Sequence, residues 1–254
     1  MKLEVLLSVM NLDENNLSKM NITSKCTVIN QCGKNDFHVS KNFNIYDSKD
    51  IGLSNSRNLG LNKLTEDIII LCDDDVVYNS DYEEMIVSEF ENNKDADIII
   101  FNIDSPNRKI KLNKKNKRLK LFNILSFSSC RIAFRRNSIG NITFNNLFGA
   151  GAKYSSGEDT LFLVDSLNRG LKIYSSTKNI GVVNHTTSTW FKGYDEKYFF
   201  DKGALFTAIK PSIRHFLILQ YLLRHRELFT DINFFKAYKI MLKGSKSYLG
   251  DIYE

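Results

Sequence analysis

The run Ile68-Ile69-Ile70-Leu71-Cys72 carries five consecutive apolar side chains and stops at Asp73-Asp74-Asp75. Successive side chains of a strand point to opposite faces, so an unbroken apolar run suits a strand covered on both sides. Similar Val-, Ile- and Leu-rich segments, bounded by Asn, Asp, Gly or Ser, predict strands at 4–9, 26–30, 43–46, 67–72, 96–103, 130–135, 171–175 and 180–184. Helical patterns lie between them at 54–64 and 81–92, and a further helix begins near Ser156 and closes at Gly170. This rhythm predicts an α/β fold, with a mainly parallel, Rossmann-like central sheet flanked by helices. From about Glu196 the pattern turns helical, aromatic and basic. The expected organisation is therefore an α/β domain over 1–195 and a helical C-terminal extension over 196–254.

The bulk properties agree with a packed enzyme-sized domain. The 254 residues are 43% hydrophobic and 25% charged, which permits a sizeable core and excludes global disorder. A formal charge of +6 favours anionic partners such as phosphates, acidic lipid head groups or nucleic acid. Cys26, Cys32, Cys72 and Cys130 form no CxxC pair and no zinc spacing, so a reducing cytoplasm is expected. The apolar run 3–10 is interrupted by Glu4 and reads as a first strand rather than a signal peptide. No uninterrupted apolar stretch approaches the roughly 18 residues of a membrane span.

The acidic triplet is the strongest chemical signal. Ligands of open α/β sheets bind outside the carboxyl ends of the strands. Adjacent carboxylates repel one another and raise their own pKa values unless a cation is present. Hard oxygen donors select Mg²⁺ or Mn²⁺. Alternation along an extended chain lets Asp73 and Asp75 face one ligand together.

The segment Leu71-Cys72-Asp73-Asp74-Asp75-Val76-Val77-Tyr78 resembles the DxD motif of GT-A glycosyltransferases, most closely the family 2 type. The resemblance implies a nucleotide-sugar donor, with Asp75 as ligand to the divalent cation and Asp73 and Asp74 near the nucleotide. It also implies transfer with inversion, and UDP as the usual nucleotide.

Further segments extend the resemblance over residues 4 to 190. Gly52-Leu53-Ser54-Asn55-Ser56-Arg57-Asn58 is similar to the family's Gly-x-x-x-x-Arg-Asn segment. Ser54 is a suitable N-cap, and Arg57 in the first helical turn would meet phosphate or uracil oxygens. Ser8, Asn30 and Gln31 end the first two strands, where the family holds the nucleotide base. The family often has an acid there, whereas Asn30-Gln31 offer amides; Asn30 as a turn cap is an equal reading. The run from Gly149 to Asp159 resembles the acceptor-side segment, in which an acidic pair supplies the base. Ser155 and Glu158 fit a capping box, which leaves Asp159 projecting as the base, held ionised by the helix dipole, with Glu158 in support. Gly157 and Trp190 are expected beside the acceptor or sugar, and His185 completes the metal site by resemblance, although a lone His is more often structural.

Two basic regions remain. Residues 108–120 hold eight Lys or Arg in thirteen, a pattern most common in solvated loops. The C-terminal helices interleave basic residues such as Arg214, Arg224 and Lys239 with aromatic and aliphatic ones such as Phe216, Leu219 and Phe235. That mixture fits an anionic membrane face, an oligomer contact or ordinary core packing. The expected activity is transfer of a sugar, from UDP-hexose by family habit, to a hydroxyl of a glycan or lipid-linked acceptor in bacterial surface-polysaccharide synthesis, at the inner face of the cell membrane. Its rivals are a nucleotidyltransferase, an inactive scaffold of the same fold and a basic nucleic-acid-binding protein. The first lacks its Gly-rich phosphate loop after strand one, and the last leaves the acidic triplet unexplained.

Overall fold

A computed structural model describes residues 1–31, 41–106, 110–125, 127–184, 193–229 and 232–253. The described residues form an α/β fold around a nine-stranded sheet. Its strands are β1 (Leu3–Val9), β2 (Lys25–Asn30), β3 (Phe43–Asp47), β4 (Ile68–Asp73), β5 (Val76–Tyr78), β6 (Ile98–Asp104), β7 (Lys117–Arg118), β8 (Ile132–Arg135) and β9 (Ile173–Val183). They are ordered β3-β2-β1-β4-β8-β6-β9-β5, with β7 on β9. The first four strands of that order run parallel. The apolar run of β4 alternates as expected. Ile69 and Leu71 enter one core with Leu6 and Ile29, and Ile68, Ile70 and Cys72 enter the other with Val5, Leu7 and Val28.

Beyond β4 the sheet becomes mixed. β8 is antiparallel to both β4 and β6, while β6 and β9 run parallel. The two strands expected at 171–175 and 180–184 are one strand, β9, whose pairing with β6 shifts register past Ile100. β5 follows the acidic triplet and pairs antiparallel with the end of β9. Parallel pairing brings Ser8 level with Asp73, and Asn30 level with Asp47. The carboxyl ends of four strands thus form one polar rim.

Helices α1 (Glu14–Lys19) and α3 (Tyr82–Asn92) cover one face through Leu17, Tyr82, Ile86 and Phe90. The other face takes α2 (Leu53–Leu61) and α6 (Glu158–Asn168), with short helices α4 (Leu121–Ile124) and α5 (Arg136–Ile139). The C-terminal helices α7 (Glu196–Ile209), α8 (Arg214–Arg224) and α9 (Phe234–Tyr253) join that second face, and Phe199, Leu205, Ile218, Met241 and Tyr248 share one core with the sheet.

α7 and α9 meet backbone to backbone. A Cβ at Gly203 would lie 1.9 Å from the Met241 carbonyl oxygen, and one at Gly244 would lie 1.9 Å from that of Phe200. Gly250, on the same helix, faces open space. Gly244→Ala is expected to force the helices apart and cost about 1–3 kcal/mol, although alanine is the better helix former. Gly250→Ala should leave stability unchanged or raise it by up to about 1 kcal/mol. Urea unfolding of the two variants checks this pair of opposite signs.

Candidate active site

β4 delivers the acidic triplet to the rim. Asp73 is its last residue, and Asp74 and Asp75 form the turn into β5. The turn is pinned through its carbonyls: Asn16 Nδ2 donates to Asp74 at 2.7 Å, and the Asn184 amide donates to Asp75 at 2.9 Å. Burial, then Asp73 and Asp74, push the half-buried Asp75 carboxyl up to about 7. Asp74 is raised by burial and by Asp73. Crowded hard oxygen donors whose carboxyls are raised by burial and by one another are a chemically suitable set for a divalent cation. Among the described residues, no group of three His, Cys, Asp or Glu converges on one ion position.

Arg57 is the centre of the constellation. It sits in the middle of α2, not in the first turn, because the helix starts from Gly52 at a φ of 133° rather than from a Ser54 cap. The Ser54 hydroxyl instead donates to the Phe148 carbonyl at 2.6 Å and ties α2 to the Gly-rich turn. The Arg57 side chain is 1% exposed. Its Nη2 donates to Asp73 Oδ1 at 2.9 Å, and its Nη1 reaches Asp159 Oδ1 at 2.7 Å and Glu158 Oε1 at 3.3 Å. The guanidinium expected at donor phosphate or uracil oxygens is thus turned inward and shared by three carboxylates of the chain. Burial alone would lower its pKa; Asp159, Asp73 and Glu158 outweigh that and hold it above the ordinary arginine value.

Ser129 closes the same cluster from a 3-10 turn (Ser129–Arg131) that leads into β8. Its hydroxyl donates to Asp73 Oδ2 at 2.7 Å and its amide to Asp159 Oδ2 at 2.9 Å. Sequence reading gives no sign of this residue, since a serine in a Ser-rich stretch looks like loop.

Glu158 and Asp159 open α6, but not through the expected capping box. Gly157 is the N-cap, at a φ of 116°. The Ser155 amide and hydroxyl both donate to Asp201 of α7, the amide at 3.0 Å. Asp201 is buried and also takes Lys197 at 2.6 Å, so it outcompetes Glu158 for Ser155. A Cβ on Gly157 would lie 2.6 Å from Leu205 of α7, so this glycine, expected near the acceptor or sugar, is packed under that helix. Asp159 also departs from the picture of a carboxylate held ionised by the helix dipole. Burial and Glu158 raise its pKa, with Arg57 pulling against them. A raised carboxyl is a stronger proton acceptor, which is the property a general base needs.

At the β1–β2–β3 end of the rim the predicted donor residues are engaged by the chain. Ser8 accepts from the Ser56 hydroxyl at 2.9 Å. Asn30, wholly buried, accepts from the Leu12 amide at 3.1 Å and donates to Asp47 Oδ1 at 3.0 Å. Gln31 Oε1 accepts from the Gly52 amide at 2.8 Å. The amides expected to read a base therefore brace the rim. Asp47, exposed at the end of β3, is an acid that sequence reading passed over because it lies one strand away. His185 and Trp190 lie outside the described residues.

The model of glycosyl transferase family 2 matches residues 36–169, more than half of the chain, and this span holds Arg57, the acidic triplet and the Glu158–Asp159 pair. The chain belongs to glycosyl transferase family 2. It is a glycosyltransferase. No curated protein matches it in sequence. Among solved structures, this glycosyltransferase is similar to S. aureus TarS 1-349 in complex with UDP-GlcNAc, with 16% identity and a TM-score of 0.65 over 89% of this chain and 73% of that one. It is also similar to the mannosyltransferase PcManGT from Pyrobaculum calidifontis in complex with GDP-Man and Mn²⁺, with 10% identity and a TM-score of 0.58 over 98% of this chain and 87% of that one. At such identities the likeness is one of fold, and the fold is that of GT-A enzymes.

Proposed function

We propose that this enzyme transfers a hexose with inversion from UDP-hexose to a hydroxyl of a glycan or lipid-linked acceptor, in the synthesis of a bacterial surface polysaccharide. The observation that carries the reading is the Arg57 cluster, which fastens Asp73 at the strand end to the acids of α6 through one guanidinium. The strand end is where a donor binds in sheets of this kind. Asp75, with Asp74 beside it, would hold Mn²⁺ or Mg²⁺, and His185 would complete the set. The cation would supply positive charge against the leaving diphosphate.

Asp159 accepts the proton of the acceptor hydroxyl. The oxygen attacks the anomeric carbon from the side opposite the diphosphate, the carbon–oxygen bond to phosphate breaks, and the nucleoside diphosphate departs with the electron pair. Arg57 and the Ser129 amide hold the two Asp159 oxygens in place, and Glu158 raises their basicity. Ser8, Asn30 and Gln31 shape the floor for the nucleotide, and the sugar contact is assigned to Trp190 from its place in the sequence. Residues 1–195 form the catalytic domain in this reading, and 196–254 its helical extension.

Calorimetric titration with UDP, GDP and CDP, with and without Mn²⁺, tests the donor site. One nucleotide is expected to bind in a Mn²⁺-dependent way, and Asp75→Ala should lose that dependence. Because the Asp75 carboxyl titrates near 7, a cation must displace its proton below that pH and need not above it. The Mn²⁺-dependent affinity should therefore rise by about tenfold between pH 6 and pH 8. Absence of nucleotide binding under every condition would sink the donor assignment and leave an inactive scaffold.

A further inference from the structure

We propose that helix α8 seats this glycosyltransferase on an anionic lipid bilayer. The helix carries two apolar stripes where packing requires one. Its inward stripe, Leu217, Ile218 and Leu222, is buried against the core. Its outward stripe consists of Phe216, Leu219 and Leu223, which are 56%, 44% and 46% exposed. These three sit at i, i+3 and i+7, one above another along the outer face.

The charges around the stripe choose its occupant. Residues 202–226 contain no Asp or Glu, and they carry Lys202, Lys210, Arg214, Arg224 and Arg226. The first acid beyond them, Glu227, is paired with His225. A cationic helix with an outward apolar stripe matches an interface of acyl chains below anionic head groups. A second copy of the chain fits less well, because a two-fold contact would set the arginine ends against their own kind. Nucleic acid would leave Phe216, Leu219 and Leu223 unused. At eleven residues α8 is too short to span a bilayer, and no described helix is long and apolar enough to do so. It would lie in the interface plane.

The placement suits the chemistry. α8 packs on α7, and α7 grips the acceptor-side turn through Asp201 and Leu205. A docked α8 thus holds Asp159 one helix away from the lipid surface. That consequence rests on the proposed reaction, whereas the docking does not.

The test is cosedimentation of the full chain with phosphatidylcholine vesicles, with and without phosphatidylglycerol. Binding is expected only on the anionic vesicles at low salt. It should weaken by about tenfold or more in Arg224→Glu/Arg226→Glu, in Phe216→Ser/Leu219→Ser/Leu223→Ser, and for the wild type at about 0.5 M salt. These side chains are exposed, so both variants should keep the wild-type melting temperature and nucleotide binding. A Phe216→Trp variant should shift its emission to the blue on anionic vesicles. Failure to bind at low salt, equal binding to uncharged vesicles, or preferential binding to nucleic acid would overturn the proposal. So would a wild-type dimer, seen by sedimentation velocity, that the serine variant splits. Loss of vesicle binding with intact sugar transfer in solution would leave the reaction standing.

Discussion

Exchange of Arg57 for methionine is expected to destabilise the protein by about 3–5 kcal/mol at pH 7, because it leaves buried carboxylates without their counter-charge. The loss should depend on pH in a defined direction. Asp159 already has a raised pKa in the fold. A carboxyl raised on folding costs stability as the pH climbs from the ordinary aspartate range through its folded value. Without Arg57 that cost grows, so the variant should lie furthest below wild type at pH 8 and recover part of the difference at pH 5. Arg57→Lys should fall between the two, since one ammonium cannot serve three carboxylates from two separated nitrogens. Urea unfolding at both pH values reads the effect. An equal loss at pH 5 and pH 8 would show that Arg57 acts as packing volume and not as charge.

For Asp159→Asn the expected loss is in rate. Removal of a general base lowers turnover by about a hundredfold to ten-thousandfold. The amide keeps the shape of the carboxyl, and its one oxygen can still accept from Arg57, but its NH2 then faces the Ser129 amide, a second donor. Donor binding, which the proposed reaction assigns to the β4 end of the cluster, should change little. Stability should stay within about 1 kcal/mol of wild type, because relief of one negative charge among three carboxylates on one guanidinium offsets the lost bond from the Ser129 amide. Nucleotide release from the donor, with water or a simple sugar as acceptor, measures the rate. Turnover that survives the exchange would move the base to another residue, with Glu158 the first to examine.

These predictions depend on features that sequence patterns convey unequally. β1 and β4 were legible because each is buried on both faces and carries an apolar residue at most positions. The triplet was legible because three acids directly after such a strand defy the local pattern. The reversed direction of β8 was not, since strand direction is set by a partner far away in the chain and leaves no local mark. The capping errors share a cause. Ser54 and Ser155 each suit a local cap, but both found long-range partners, Phe148 and Asp201, so tertiary bonding overrode local preference. Ser129 and the inward turn of Arg57 were invisible for the same reason, because their roles exist only across the sheet.

The separations within the cluster also bear on how the enzyme comes into being. Arg57 meets Asp73 across 16 positions, but Glu158 and Asp159 across 101 and 102. Ser129 adds bonds over 56 and 30. Closing such long loops costs chain entropy before any bond repays it, so contacts of this kind form late. A nascent chain that has completed only its first parallel strands can set Arg57 against Asp73, but it still lacks Ser129, Glu158 and Asp159, and with them the proposed base. Competence therefore arrives together with the finished topology, and a half-folded molecule has no half-working site.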